Sequence, residues 1–84
     1  MPVRILIVDD EPDMLNLLKR SLEPDLNCQI HTTSSARTAL RMLSQTAYDL
    51  LLADIKMPVM GGLELLGIVK SEYPDLTVVM MTAY

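Results

Sequence analysis

The sequence lacks most of the residue types on which small specialised domains depend. It has no Trp, no Phe, one Cys and three Gly in 84 residues. A single cysteine, Cys28, excludes an internal disulfide and a cysteine-rich zinc module, and it fits a reducing compartment. The aromatic content of 4%, all of it Tyr, offers no stacking platform for single-stranded nucleic acid.

Basic charge is also scarce. Seven Lys and Arg stand against eleven Asp and Glu, giving a net charge of −4 and a pI near 4.6. This balance argues against binding to nucleic acid or to an anionic membrane, because both need clustered Lys and Arg. The apolar run Ile5–Val8 is far shorter than the roughly 20 residues of a membrane span, and Asp9 and Asp10 end it too early for a signal peptide. We therefore expect a cytoplasmic protein.

What is present is a globular composition, with 50% apolar and 21% charged residues. Three of its short apolar runs are continuous, which predicts parallel strands buried on both faces, whereas the one with Gln29 and His31 alternates and predicts an edge strand. These four runs are Ile5–Val8, Cys28–Ile30, Leu50–Ala53 and Val78–Met81.

Three helical patterns lie between the apolar runs. The first begins at Pro12 and stops at Pro24, the second follows a cap cluster at Thr33–Ser35, and the third follows Gly61–Gly62 and ends before Pro74. The predicted core-facing residues are Leu15, Leu18 and Leu22 in the first helix, Ala36, Ala39, Leu40 and Leu43 in the second, and Leu63, Leu66, Val69 and Tyr73 in the third.

The predicted order βαβαβαβ gives an α/β fold, because such units join parallel strands through right-handed crossovers. We expect one domain over residues 1–84 with the flavodoxin-like strand order 2-1-3-4. The sheet is doubly wound but partial, because it stops on the fourth strand with no helix behind it. Its open, apolar fourth strand is exposed to pairing with another chain, as a homodimer or a swapped oligomer.

Polar residues cluster at one end of the predicted strands. Asp9 and Asp10 follow the first strand, Asp54 the third and Thr82 the fourth. Ligands of open parallel sheets bind at the carboxyl ends of the strands where the strand order reverses, so the three carboxylates should converge there. Their mutual repulsion favours Mg²⁺, and a carboxylate beside it can act as the nucleophile toward a phosphoryl group. Thr82 is placed to bind a phosphate oxygen.

Each acidic feature has a simpler interpretation when it is taken alone. An Asp-Asp pair before a helix is often a cap, and an Asp after a strand is often a turn residue. Their joint occurrence on both sides of the predicted switch point favours a site. No P-loop, dinucleotide-binding glycine motif, HExxH motif or nucleophile elbow is present.

Three motifs resemble those of response-regulator receiver domains of two-component signalling. They are Ile5–Glu11, then Asp54–Pro58 with Met60, Gly62 and Leu63, then Met81–Ala83. The resemblance covers essentially the whole chain. The ending Val79–Tyr84 is similar to receivers of the nitrogen-regulation type of transcriptional activator.

The resemblance implies a role for each residue that matches a motif. Asp54 would accept a phosphoryl group from a phosphohistidine of a sensor histidine kinase. Asp9, Asp10, Asp54 and the backbone carbonyl of Lys56 would hold Mg²⁺. Thr82 would sense the phosphoryl group with its hydroxyl and pass the signal to an output such as transcription. Such a module is not a turnover enzyme.

The resemblance also implies alternatives, because family members continue through a fourth helix, a fifth strand ending in a phosphate-pairing Lys, and a fifth helix. Lys19, Lys56 and Lys70 lie elsewhere in the pattern. One alternative is therefore an inert, truncated receiver that only self-associates. A separate alternative, outside the receiver family, is an aspartate-nucleophile phosphatase of the haloacid-dehalogenase type, also α/β. That type needs a second Asp two residues after the nucleophile, where this sequence has Lys56.

Overall fold

Strands and helices alternate strictly along the chain. The computed structural model describes residues 3–22, 28–55 and 61–81. The elements are β1 (Val3–Val8), α1 (Pro12–Leu22), β2 (Cys28–Thr33), α2 (Ala36–Gln45), β3 (Leu50–Asp54), α3 (Gly62–Glu72) and β4 (Thr77–Met81). The predicted βαβαβαβ order is confirmed. The predicted stop of the first helix at Pro24 lies outside the described residues.

The four strands form one parallel sheet in the order β2-β1-β3-β4. The predicted flavodoxin-like order is therefore confirmed. Val8 lies opposite Thr33 in β2 and opposite Ala53 in β3, and Asp54 lies opposite Met81 in β4. This register brings the carboxyl ends of all four strands to one rim of the sheet.

One face of the sheet is covered by α2 and α3. Ser35 caps α2, because its Oγ accepts a hydrogen bond from the Thr38 backbone N–H at 3.3 Å. Leu6 and Val8 of β1 and Leu51 and Ala53 of β3 alternate onto this face. The buried residues that join them are Ala36, Ala39, Leu43, Leu65, Val69 and Leu76.

The opposite face of the sheet is covered by α1. Ile5, Ile7 and Ile30 are buried there beneath Leu15. Strand β1 is therefore buried on both faces, as its continuous apolar run predicted, and β2 is an edge strand with the predicted alternation. None of the helices in the described ranges has the length and apolar content that a membrane span requires.

Strand β4 lies at an edge of the sheet, as the predicted strand order requires, although its continuous apolar run is typical of a strand buried on both faces. None of its five residues is fully buried, and Val79 is 45% exposed. The reason is position: among the described strands β4 pairs only with β3, so it forms the second edge of the sheet.

The predicted core face of α3 is partly wrong. Leu65 and Val69 are fully buried, whereas Leu63 is 65% exposed and Leu66 is only partly buried. Leucines occur on several sides of this helix, so apolar spacing alone did not identify the face that meets the sheet. The i, i+4 pair Leu65 and Val69 makes that contact.

This difference between Leu65 and Leu63 gives a matched test of the fold. Leu65→Ala removes a fully buried side chain, and we expect it to lower the free energy of unfolding by about 2–5 kcal/mol. Leu63→Ala makes the same change on the exposed side of α3 and should alter it by less than about 0.5 kcal/mol. Urea denaturation measures both, and equal losses would contradict the packing described.

Candidate metal centre

Three carboxylates meet at the switch point of the sheet, between β1 and β3. Asp9 directly follows β1, and Asp54 is the last residue of β3. Because Val8 and Ala53 are register partners, the two residues that follow them are neighbours across the strands. Asp10 extends the acidic pair toward α1. The sequence prediction that these side chains converge agrees with this geometry.

One carboxylate oxygen from each of Asp9, Asp10 and Asp54 lies within 4.8 Å of the other two. Asp9 is 6% exposed and Asp54 is 4% exposed, whereas Asp10 is open to solvent. In the part of the chain that the structure describes, this is the one group of three or more acidic, His or Cys side chains close enough to hold a metal ion. The site therefore consists of two buried carboxylates and one exposed carboxylate at the rim of the sheet.

Local hydrogen bonds fix the position of Asp9. Its Oδ1 accepts a hydrogen bond from the Glu11 backbone N–H at 2.9 Å, which bends the chain into α1. Its own N–H donates to the Thr33 carbonyl at 3.1 Å and ties the site to the end of β2. Neither Glu11 nor Thr33 was predicted as a supporting residue, although an Asp two residues before Glu11 is a typical signal for such a turn.

The electrostatics of the site are unfavourable without a cation. Burial is the main reason that the pKa of Asp9 is raised above its ordinary 3.8. The hydrogen bond from Glu11 opposes this shift, and the charges of Asp54, Asp10 and Glu11 raise the pKa of Asp9 further. The folded protein therefore holds negative charge here at a cost.

The donor set fits Mg²⁺. Oxygen ligands lie about 2.0–2.1 Å from Mg²⁺, so two of them are at most about 4.2 Å apart, close to the spacing of these carboxylates. Magnesium keeps several waters and commonly takes only one or two carboxylates directly. A third carboxylate can therefore bind through a water molecule without any change of fold.

Two of the predicted site residues, Thr82 and Lys56, lie outside the described residues. The residues beside them are described. The backbone N–H of Ile55 donates to the Met81 carbonyl at 2.9 Å, so the chain just after Asp54 is held to the end of β4. The assignments of Thr82 as the sensing hydroxyl and of the Lys56 carbonyl as a metal ligand remain predictions.

Comparison with known proteins identifies the family. The family model described as the response regulator receiver domain matches residues 5–84. The chain belongs to this family, and it is thus a signal-transduction module of the two-component type. The resemblance inferred from the three sequence motifs is confirmed.

The relatives come from plants and bacteria. The chain is 42% identical over 85 residues to two-component response regulator ORR24 of Oryza sativa subsp. indica, covering 96% of this chain and 13% of that protein. It is 37% identical over 81 residues to the DNA-binding transcriptional regulator NtrC of Proteus hauseri, covering 95% of this chain and 17% of that protein. The resemblance to the nitrogen-regulation type is therefore real, but it is shared with plant regulators.

Solved structures agree with the fold. The response regulator protein TrrA of Thermotoga maritima, solved in complex with Mg(2+)-BeF, superposes with a TM-score of 0.92 at 38% identity. The match covers 98% of this chain and 70% of that chain. The chain spans less than a fifth of the length of the curated relatives above.

The raised pKa of Asp9 predicts how a neutral side chain would behave. An acid whose folded pKa is raised destabilises the fold above that pKa and costs nothing below the ordinary 3.8. Asp9→Asn keeps the oxygen that accepts from Glu11 and loses the charge. In EDTA at pH 7 we expect it to melt at a higher temperature than the parent, with the gain fading as the pH falls toward 3.8.

Two controls accompany this pH series. Asp13→Asn removes the same charge from the exposed first turn of α1, and it should slightly lower the melting temperature because an acid there is favourable. Adding Mg²⁺ should raise the melting temperature of the parent more than that of Asp9→Asn, so the difference between the two melting temperatures should become smaller. A lower melting temperature for Asp9→Asn at pH 7 in EDTA would contradict the electrostatic argument.

Proposed function

We propose that this chain is the phosphoacceptor module of a two-component phosphorelay. The observation that carries the proposal is the meeting of Asp9, Asp10 and Asp54 at the switch point of the sheet. Asp54 is assigned as the phosphoacceptor, because it ends a central strand and lies beside two further carboxylates suited to a divalent cation. Membership of the receiver family supports this assignment.

The transfer has a simple chemical balance. An Asp54 carboxylate oxygen attacks phosphorus and forms an O–P bond, while the P–N bond of a phosphohistidine on a sensor histidine kinase breaks. The electron pair of that bond stays on the imidazole nitrogen. Asp9 and Asp10 would hold Mg²⁺ together with Asp54 and the Lys56 carbonyl, and the ion would supply neutralisation of the charge on the transferring group.

The proposed module also needs a residue that senses the phosphoryl group, a cofactor and a regulated output. Thr82 follows β4, and its hydroxyl is assigned to sense the phosphoryl group. The complex of TrrA with Mg(2+)-BeF supports magnesium as the cofactor, and the name of NtrC supports transcription as the regulated output. A cytoplasmic location and a single domain over residues 1–84 stay predictions from the sequence.

The first test is the intact mass of the chain after incubation with Mg²⁺ and an acyl phosphate. We expect a gain of one phosphoryl group that disappears with Asp54→Asn and with EDTA. Asp49→Asn makes the same change at the other end of β3 and should leave the labelling unchanged. Labelling that persists in a folded Asp54→Asn variant would contradict the assignment, and so would an unlabelled but folded parent chain.

A second candidate function is self-association of this chain through the edge of β4. Its support is the exposure of that strand, where Val79 is 45% exposed and the other apolar residues are half-buried. Under this candidate the acidic pocket is chemically inert and the chain forms an edge-paired dimer or a swapped oligomer.

Sedimentation velocity separates the two candidates. Self-association predicts a dimer whose population rises with concentration and falls at least severalfold with Val79→Lys, because a lysine on an edge strand opposes pairing. Leu17→Lys places the same charge on α1, at a side chain that is 59% exposed, and should leave the dimer intact. A monomer at high protein concentration would rule out this candidate without affecting the first.

A further inference from the structure

A second concave surface lies at the opposite rim of the sheet from the carboxylate site. It is a groove of about 670 Å³ between the α2–β3 and α3–β4 connections, lined by residues 43–49 and 72–76. Its volume falls in the range of about 300–1,000 Å³ that is common for binding pockets. We call it the lower groove.

The walls of the lower groove combine rings with negative charge. Leu43 and Leu76 are buried at its base, and the half-buried rings of Tyr48 and Tyr73 line it. The exposed carboxylates that line it are Asp49, Glu72 and Asp75. None of its described lining residues is Lys, Arg or His.

Two helices end at the lower groove. Helix α2 ends at Gln45 and α3 at Glu72, so the carbonyl ends of both helices lie at its border. Helix carbonyl ends carry partial negative charge, and they favour cations. Helix α3 has Lys70 in its last turn, but α2 has no basic residue there.

Arg4 is a cation beside the groove, and its charge acts on Tyr48, but it stands against three carboxylates in the lining. Arg4 donates from Nε to the Gln29 side chain at 3.3 Å, and its backbone N–H donates to Asp49 Oδ2 at 2.9 Å. The Tyr48 hydroxyl lies 2.6 Å from His31 Nδ1, which anchors that ring to β2. The groove therefore has a fixed aromatic wall and a surplus of negative charge.

We propose that the lower groove binds an arginine side chain presented by a basic peptide segment of a partner protein. A guanidinium stacks on tyrosine rings and pairs with carboxylates through several donors at once. A second copy of this chain is a poor occupant, because each copy carries a net charge of −4. The groove is separate from Asp54 and binds whether or not that residue is modified.

The test is a peptide titration in which NMR monitors the amide chemical shifts of the protein. The probe is the capped peptide acetyl-Gly-Arg-Arg-Gly-amide, added to the whole chain at low salt. We expect saturable shifts concentrated at residues 46–49 and 72–76, with weaker binding of the Lys-Lys peptide. A matched peptide with citrulline in place of arginine has nearly the same shape without the charge, and should not saturate.

Variants on α3 provide the matched controls. Glu72→Gln and Asp75→Asn should each weaken binding by about two- to fivefold, the range for one exposed ion pair. Glu64→Gln makes the same change near the start of α3, outside the groove, and should leave binding unchanged. All three positions are exposed, and well-dispersed spectra confirm that each variant folds.

Three outcomes would overturn the proposal. One is the absence of saturable shifts at a peptide concentration of about 10 mM, which is about ten times a dissociation constant of about 1 mM, the weak end of measurable binding. Another is an equal loss of affinity in Glu64→Gln, which would mean that only the net charge of the chain matters. The third is shifts of similar size for the citrulline peptide, which would mean that the groove does not recognise the cation.

Discussion

The burial of Asp9 and Asp54 side by side is the constraint around which the rest of the structure is arranged. The parallel register of β1 and β3 places these two residues at the same level of the sheet, with exposures of 6% and 4%. Burying a charge in such a place opposes folding: burial is the main cause of the raised pKa of Asp9, and the charge of Asp54 raises it further. The fold tolerates these buried carboxylates because the buried apolar part of the sheet lies directly beneath them.

Hydrogen bonds hold the site rim together across all four strands. The backbone N–H of Asp9 donates to the Thr33 carbonyl at the end of β2, and that of Ile55 donates to the Met81 carbonyl at the end of β4. Between them, the register of β1 and β3 aligns Asp9 with Asp54. The central strand β1 is buried on both faces and cannot shift without disturbing both cores. The carboxylates are therefore positioned by the sheet more than by their own contacts.

The sequence was informative where one structural rule determined the outcome. Apolar runs that take turns with helical patterns along the chain predict a parallel sheet. A parallel sheet brings the residues after each strand to one rim, so Asp9, Asp10 and Asp54 could be placed together. The core face of α3 could not be predicted in the same way. Its leucines lie on several sides, and the choice of Leu65 over Leu63 is made by packing against β3 and α2.

The lower groove could not be predicted, because no motif marks it and its two walls are distant in sequence. The continuous apolar run of β4 is typical of a central strand, and only the predicted strand order places β4 at an edge. Composition, however, does not report how many neighbours a strand has. The lower groove and the core face of α3 depend on contacts between segments, which local patterns do not encode.

The direction of the chain gives the two rims of the sheet opposite chemistry. In a parallel α/β fold each helix begins near the carboxyl ends of the strands and ends near their amino ends. Helix N-termini, which attract anions, therefore lie toward the rim of Asp54, and helix C-termini, which attract cations, border the lower groove. Both rims are acidic, but only the rim of Asp54 combines buried carboxylates with helix N-termini that attract anions. That combination suits a divalent cation together with a phosphoryl group, whereas exposed carboxylates beside helix C-termini and tyrosine rings suit a single organic cation.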